Sequence, residues 1–252
     1  MSALDIGAMV FACLCIASAV GMFLSVRVPE HHLSVDSRDV IKLATAVVGT
    51  LSALALGFLI ASAKSTFNDA ETEIRTSAAQ LVLLDRVMAH YGSETEAARR
   101  VLGQLVEAQL RHNRTAAANG QPDSEVVSHG IEPVQDVLRS LTPDTQPRRM
   151  LQQRAIEVSG EIAEAHWMRI EKGDEAPPWP FLTILVFWLA LLFFTFGLLA
   201  PTNTTVVCII FVCALSVAGA VFLIVDLAHP YLGAIQVSDA PLYTALRELG
   251  KA

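Results

Sequence analysis

The chain has 252 residues, of which 53% are hydrophobic and 17% are charged, and its mean hydropathy is +0.47. Soluble domains carry about a quarter charged residues, so this composition indicates a membrane protein. The net charge is −7 and there is no run of Lys or Arg, which excludes an electrostatic surface for nucleic acid.

Two apolar segments near the N-terminus are each long enough to cross a bilayer. The first runs from about residue 6 to 26, and the second runs from about residue 43 to 63, where Lys64 closes it. A helix of about 20 apolar residues covers ~30 Å of hydrocarbon. Residues 1–63 are therefore predicted to form a first transmembrane hairpin.

The segment 64–178 is rich in charged residues, and its apolar residues recur at helical spacing. Nothing between residues 62 and 90 breaks a helix, so we expect the second span to continue as one long helix that Gly92 ends. Further helices are predicted near 126–141 and 146–172. Another helix is predicted directly after Gly92. Four of its residues are expected to face a core: Ala97, Val101, Leu105 and Ala108. We interpret this segment as a water-soluble helical domain.

Proline residues at positions 177, 178 and 180 end this domain, and Trp179 among them is suited to anchor a span at the membrane interface. Two more spans are predicted at about 181–199 and 206–227, joined by an uncharged connection. They form a second transmembrane hairpin, residues 179–228. In the tail, 229–252, a short amphipathic stretch places Leu242, Ala245, Leu246 and Leu249 on one face.

These elements predict an all-α polytopic membrane protein with four transmembrane helices in two hairpins and a helical soluble domain inserted between the pairs. Four spans put the N-terminus, the soluble domain and the tail on the same side of the membrane. Of the Lys and Arg residues that flank the spans, Lys64, Arg75, Arg169, Lys172 and Arg247 lie on this side, against Arg27, Arg38 and Lys42 on the other. Because positive charge is retained in the cytoplasm, the N-terminus and the large domain are predicted to be cytoplasmic.

Every fourth residue of the second span is small, in the row Thr45, Gly49, Ala53, Gly57 and Ala61. Small side chains let the backbone of another helix approach closely. The same side chains leave space for water in a pore. We interpret the row as a helix-packing seam or as pore lining, and in an oligomer both functions are compatible.

The loop before the second span collects the polar residues His31, His32, Asp36, Arg38 and Asp39. Two imidazoles and two carboxylates form one possible metal-ligand set. In the other interpretation, Asp36 or Ser37 caps the second span, and the helix dipole favours acidic residues there. Adjacent histidines point in different directions on most backbones. We favour capping and ion pairing and predict no metal.

The fourth span ends in two ionisable residues, Asp226 and His229, followed by Pro230. Ionisable groups close to hydrocarbon commonly mark function, and a proton relay is one interpretation. The other is an ordinary interfacial ending, with the proline stopping the helix.

Motifs for enzymatic chemistry are absent from the sequence. There is no Gly-rich phosphate loop, no HExxH and no nucleophile elbow. Glu161, Glu164 and His166 lie close together on a predicted helix, but the Glu-x-x-His spacing of carboxylate-bridged metal bundles is missing. We interpret them as an exposed charged face and predict no catalytic residue and no cofactor.

Five stretches of the chain are similar to a known family: 29–43, 59–65, 84–86, 214–224 and 230–238. Together they resemble the bacterial bestrophin-like membrane domain family, a family of unassigned function. The resemblance covers nearly the whole chain. It implies four spans with a helical insertion between the pairs, in the inner membrane of a bacterium. It also implies a relation to bestrophins, which are oligomeric anion channels.

Two functions from different classes follow from these patterns and the resemblance. The first is a homo-oligomeric ion channel or transport protein, whose partners are the bilayer, further copies of the chain and small inorganic ions. The alternative is a non-conducting membrane scaffold or sensor, whose cytoplasmic helical domain binds a partner.

Overall fold

The computed structural model of the chain describes residues 2–27, 35–119, 130–172, 179–201, 203–231 and 233–249. Within these residues the protein is helical and contains no β-strand. The helices are α1 (Ala3–Arg27), α2 (Val35–Tyr91), α3 (Glu96–Asn119), α4 (Glu132–Ser140), α5 (Gln146–Lys172), α6 (Trp179–Leu199), α7 (Thr204–Leu227) and α8 (Ala240–Glu248). A short 3₁₀ turn, Ser93–Thr95, precedes α3.

Four of these helices, α1, α2, α6 and α7, are long and apolar enough to cross a membrane. They contain the four segments that the hydropathy pattern predicts, and α1, α6 and α7 begin slightly before them. The start of α6 explains how a proline-rich stretch can open a span. Pro180 is the second residue of that helix, where its missing N–H has no intrahelical partner to lose.

The second span continues into the charged part of the chain as one helix. It runs for 57 residues from Val35 to Tyr91, as the absence of helix breakers predicts. It stops at Gly92, whose φ of 130° lies in the region that residues with a Cβ rarely adopt. The local sequence therefore fixes the end of this helix.

The chain divides into two compact units, and the division falls inside α2. The membrane unit comprises Met1–Phe67 and Ala176–His229, and the helical unit comprises Asn68–Glu175 and Pro230–Ala252. Each unit has its own hydrophobic core.

In the membrane unit, α1 packs against both α6 and α7, and its most extensive contact is with α6. The buried residues of α1 repeat every three or four positions: Ile6, Gly7, Val10, Leu14, Ser18 and Gly21. Leu14, Leu185 and Val221 bring the three helices together at the centre of the core, each with 0% exposure. The closest packing thus joins the first and third spans, and the arrangement as two hairpins stays a prediction.

Two glycines allow α1 and α6 to cross at backbone distance. A Cβ atom placed on Gly21 would overlap the carbonyl oxygen of Phe194 and lie 2.9 Å from the amide nitrogen of Leu198. A Cβ placed on Gly197 would overlap the carbonyl oxygen of Ser18 in the same way. Close crossings at small residues are a typical means of associating helices in membranes, because van der Waals contact replaces the hydrophobic effect there.

The core of the helical unit is built from α2, α3, α4 and α5. It includes Leu84, Met88, Ala98, Leu102, Val134, Leu138, Ala155 and Val158. The predicted core face of α3 is half right: Val101 and Leu105 are partly buried and pack against the core, whereas Ala97 and Ala108 are exposed. The buried stripe lies one position further along the helix, at Ala98, Leu102, Val106 and Leu110.

The tail folds onto the helical unit through α8. Leu242 and Ala245 are buried, as the amphipathic pattern of the tail predicts. Three polar contacts accompany them: Asn113 donates to Asp239 at 2.8 Å, the Arg114 guanidinium lies 5.2 Å from the centre of the Tyr243 ring, and Arg86 lies 3.6 Å from Glu248. The last helix of the chain is therefore part of the same compact unit as α3.

Candidate functional site

The small-residue row of α2 changes its surroundings along the helix. Thr45 and Gly49 are half-buried, whereas Ala53, Gly57 and Ala61 are exposed. The cause is geometric, since four residues overshoot one helical turn by about 40° and the row winds around the helix. It therefore begins beside α6 and ends on an open surface.

The two glycines of the row show the same change. A Cβ atom on Gly49 would meet Leu192 at 3.8 Å, an ordinary contact, and a Cβ on Gly57 would meet nothing within 4 Å. Within the described part of one chain, the second half of the row has no helix packed against it. A packing seam between copies and a pore lining both stay predictions.

The exposed surface of α2 in the membrane unit has two flanks of different character. One flank, which we call the small flank, carries the last three row residues and two neighbours: Ala46, Thr50, Ala53, Gly57 and Ala61. The other, the large flank, carries Val47, Leu51, Leu54 and Phe58, and Phe58 is 67% exposed. Large apolar side chains are suited to lipid, and small ones to close contact with a helix.

A cavity of about 170 Å³ lies between α2 and α6. Its lining comprises Ile41, Ala44, Thr45, Val48, Leu191, Leu192 and Thr195. The two threonine hydroxyls donate to carbonyls of their own helices, Thr45 to Ile41 at 2.7 Å and Thr195 to Leu191 at 2.8 Å. The cavity has no charged side chain in its lining, so its chemistry suits an apolar group rather than an ion.

Part of the polar loop lies outside the described residues, namely His31 and His32. The capping prediction for Asp36 and Ser37 is wrong, because α2 begins at Val35 and both residues lie inside its first turn. Asp39 forms an ion pair with Lys42 at 2.9 Å one turn along the helix, and Arg38 is exposed. Acidic residues in a first turn are still favoured by the helix dipole.

Metal binding by this loop stays untested, because the two histidines lie outside the described residues. Among the residues that the structure does describe, no three His, Cys, Asp or Glu side chains are grouped closely enough to hold a metal ion.

Asp226 and His229 lie at the end of α7. Asp226 is only 1% exposed and so is enclosed by the protein. His229 is half-buried, and its Nδ1 donates to the Val225 carbonyl at 2.8 Å. Its backbone N–H donates to the Asp226 carbonyl at 3.1 Å, which closes the last turn. The buried carboxylate is unusual for a helix end, while the histidine completes the turn through its own backbone.

The family model of the bestrophin-like domain matches residues 12–242 of the chain. The chain belongs to the bestrophin-like family. No curated protein and no solved structure matches it. The match begins inside α1 and ends inside α8, so the bestrophin-like domain takes in residues from both units. With its four apolar helices, the chain is a membrane protein of this family.

Within the bestrophin-like domain, the sequence reasoning missed a buried ion pair. Arg99 of α3 donates to both carboxylate oxygens of Asp85 in α2, through Nε at 2.7 Å and Nη2 at 3.0 Å. Asp85 is 1% exposed. The hydrogen bond to Asp85 raises the pKa of the Arg99 guanidinium. The only signal in the sequence was Leu84-Asp85-Arg86, which carries part of the family resemblance. This motif does not indicate which cation pairs with Asp85.

The sequence also predicted only one of the two glycines at which α1 and α6 cross. Gly21 follows Ala17 by four residues, a small-xxx-small spacing that predicts a close helix contact. Its partner Gly197 lies in α6 among large apolar residues, where no spacing signal marks it. A pair of glycines on two helices becomes recognisable only when the helices are placed side by side.

Proposed function

We propose that this bestrophin-like protein is a homo-oligomeric channel or transport protein for small inorganic ions in the bacterial inner membrane. The observation that carries the proposal is the small flank of α2, which no other helix of the described chain covers at Gly57. The family membership and the four apolar helices support it. The proposal includes no enzymatic step and no cofactor.

The small flank supports assembly of several copies. In lipid, a helix face made of Ala, Gly and Thr gives few van der Waals contacts, but the same face packs closely against another helix. Thr50 already donates its hydroxyl to the Ala46 carbonyl at 2.9 Å, so it needs no other partner for its proton. Copies that meet through this flank would gain contact area, and residues beside it would border the space between copies.

The proposal includes the predicted membrane arrangement. The four spans form two hairpins with the helical domain inserted between them, and the N-terminus, the helical domain and the tail are cytoplasmic. The Lys and Arg residues that flank the spans support this orientation, since five lie near the spans on the cytoplasmic side and three, Arg27, Arg38 and Lys42, lie on the outer side.

Orientation is tested by reporter fusions in the intact chain. A reporter at Asn119 is expected to show cytoplasmic activity, and one at Thr204 is expected to show activity on the outer side. An alkaline phosphatase and a fluorescent protein at each position give opposite readouts, so a failed fusion is recognised. The reverse pattern at both positions would invert the topology.

The small flank is tested by Gly57→Leu. A leucine at this position is expected to obstruct the contact between copies and to cost about 1 to 3 kcal/mol, as overpacking does. That cost corresponds to roughly a fivefold to 150-fold weaker association. Size-exclusion profiles in detergent measure assembly, and ion flux into liposomes measures conduction.

The matched control is Phe58→Leu, next to Gly57 but on the large flank, where both assembly and flux are expected to be unchanged. An intact Gly57→Leu oligomer with reduced flux would identify the flank as pore lining. Unchanged assembly and unchanged flux would contradict any role for it. Absence of cation and anion flux through a verified wild-type oligomer would remove the channel and leave the scaffold or sensor.

A further inference from the structure

The exposed face of α5 changes character near the end of the helix. Over several turns it is polar, with Gln153, Arg154, Glu157, Glu161 and Glu164 exposed. Arg154 pairs with Glu157 at 2.6 Å, and Gln80 donates to Glu161 at 3.2 Å, as an exposed charged face predicts. One turn later the same side of the helix carries Trp167 and Met168, which are 59% and 49% exposed.

Trp167 and Met168 are not part of the core of the helical unit. The ring of Trp167 meets the His166 ring edge-on, with centroids 5.9 Å apart, and more than half of its surface stays open. Two large apolar side chains exposed next to each other, at the end of a charged face, are suited to a less polar environment than water.

The position of this turn in the chain indicates which environment. The helix ends at Lys172, and the apolar helix α6 begins at Trp179. At 1.5 Å per helical residue and at most about 3.5 Å per extended residue, Trp167 is tethered within roughly 30 Å of Trp179. The start of α6 is itself where an aromatic side chain marks the membrane interface. The last turn of α5 therefore belongs to the stretch of chain that approaches the bilayer.

We propose that the C-terminal turn of α5 lies against the membrane surface, with Trp167 and Met168 inserted at the level of the lipid headgroups and upper acyl chains. An indole places its apolar ring toward hydrocarbon and its N–H toward the wet headgroups. The adjacent apolar pair lies at the end of the exposed face that leads to α6, whereas the far end exposes a single apolar side chain, Met150, at 62%. The C-terminal end of the helix therefore dips into the interface while the turn of Glu157 and Glu161 stays in water. This inference goes beyond the proposed ion transport and holds whether or not the protein conducts.

The test uses tryptophan fluorescence of the full chain in phosphatidylcholine vesicles. The chain has three tryptophans, so Trp179→Phe with Trp188→Phe leaves Trp167 as the single emitter. Lipids brominated near the carboxyl end of the acyl chain are expected to quench this emission at least twofold more than lipids brominated near its methyl end. Aqueous acrylamide is expected to quench it at least twofold less than it quenches the unfolded chain.

The matched control moves the probe along the same helix face. With all three native tryptophans replaced by phenylalanine, Glu157→Trp is expected to be quenched by acrylamide and not by brominated lipid. If the doubly substituted chain does not elute like the wild type, the same quantity is obtained by subtracting the brominated-lipid quenching of Trp167→Phe from that of the native chain.

Two results would overturn the proposal. Quenching of Trp167 by acrylamide but not by brominated lipid would place it in water. Resistance to both quenchers would mean that protein covers the residue, for which a second copy of the chain is the candidate, and dilution into excess lipid would then restore acrylamide quenching.

Discussion

Replacing Gly21 by alanine is expected to destabilise the membrane unit by about 1 to 3 kcal/mol or more, the usual cost of overpacking. The new Cβ would overlap the Phe194 carbonyl oxygen and lie 2.9 Å from the Leu198 nitrogen. Both are backbone atoms of α6, which cannot move aside as the end of a side chain can. The helices would have to separate, and every contact along the α1–α6 crossing would weaken. Gly197→Ala is expected to have the same effect from the other side.

Gly219 in α7 serves as the control for this substitution. A Cβ atom on Gly219 would meet nothing within 4 Å, so Gly219→Ala is expected to leave the stability of the membrane unit unchanged.

The measurement is the fraction of monodisperse protein that remains after heating in detergent, with the three single variants side by side. The double variant of Gly21 and Gly197 is expected to lose less stability than the two single variants lose in total, because both substitutions disrupt the same helix crossing. If Gly21→Ala and Gly197→Ala survived heating as well as Gly219→Ala, the close crossing of α1 and α6 would be wrong.

Replacing Arg99 by alanine is expected to destabilise the helical unit by about 3 to 5 kcal/mol, the cost of removing one partner of a buried ion pair. Asp85 has 2% side-chain exposure and would lose the cation that meets both of its oxygens. A carboxylate that is enclosed in protein has lost its hydration, and without that partner no ion pair offsets this loss. In Arg99→Ala, the contact between α2 and α3 is expected to unfold first.

Arg154→Ala is the matched control, because its pair with Glu157 has 45% and 62% side-chain exposure. Exposed pairs contribute about 0 to 1 kcal/mol, so only a small change is expected. Amide hydrogen exchange of the full chain over residues 84–110 measures both variants. A double variant, Asp85→Leu with Arg99→Met, is expected to recover part of the loss, since it leaves no charge buried. Equal protection in Arg99→Ala and Arg154→Ala would contradict the assigned role of the pair.

Of the candidate site, the sequence predicted the row of small residues but not its surroundings. A spacing of four says that Thr45 and Gly57 are both small; it does not say which of them meets α6. Residues four apart rotate around the helix, so the row passes from a buried side to an open one. Likewise the sequence placed Asp226 at the end of a span, but its enclosure depends on the residues that other elements place around it.

The sequence by itself determined the class, the spans and the C-terminal end of α2, because these depend on local composition. About twenty apolar residues specify a span, and an unbroken helical pattern continues until Gly92 offers a φ that other residues avoid. Only the tertiary structure decided which faces meet. Arg99 lies next to the buried stripe of α3 with 14% side-chain exposure, a position where a pattern of apolar residues predicts no charge and where Asp85 lies opposite. In the same way, the spacing of Ala17 and Gly21 predicts a close contact of α1, but no pattern identifies Gly197 of α6 as its partner, and the effect of both glycines depends on two backbones being brought together.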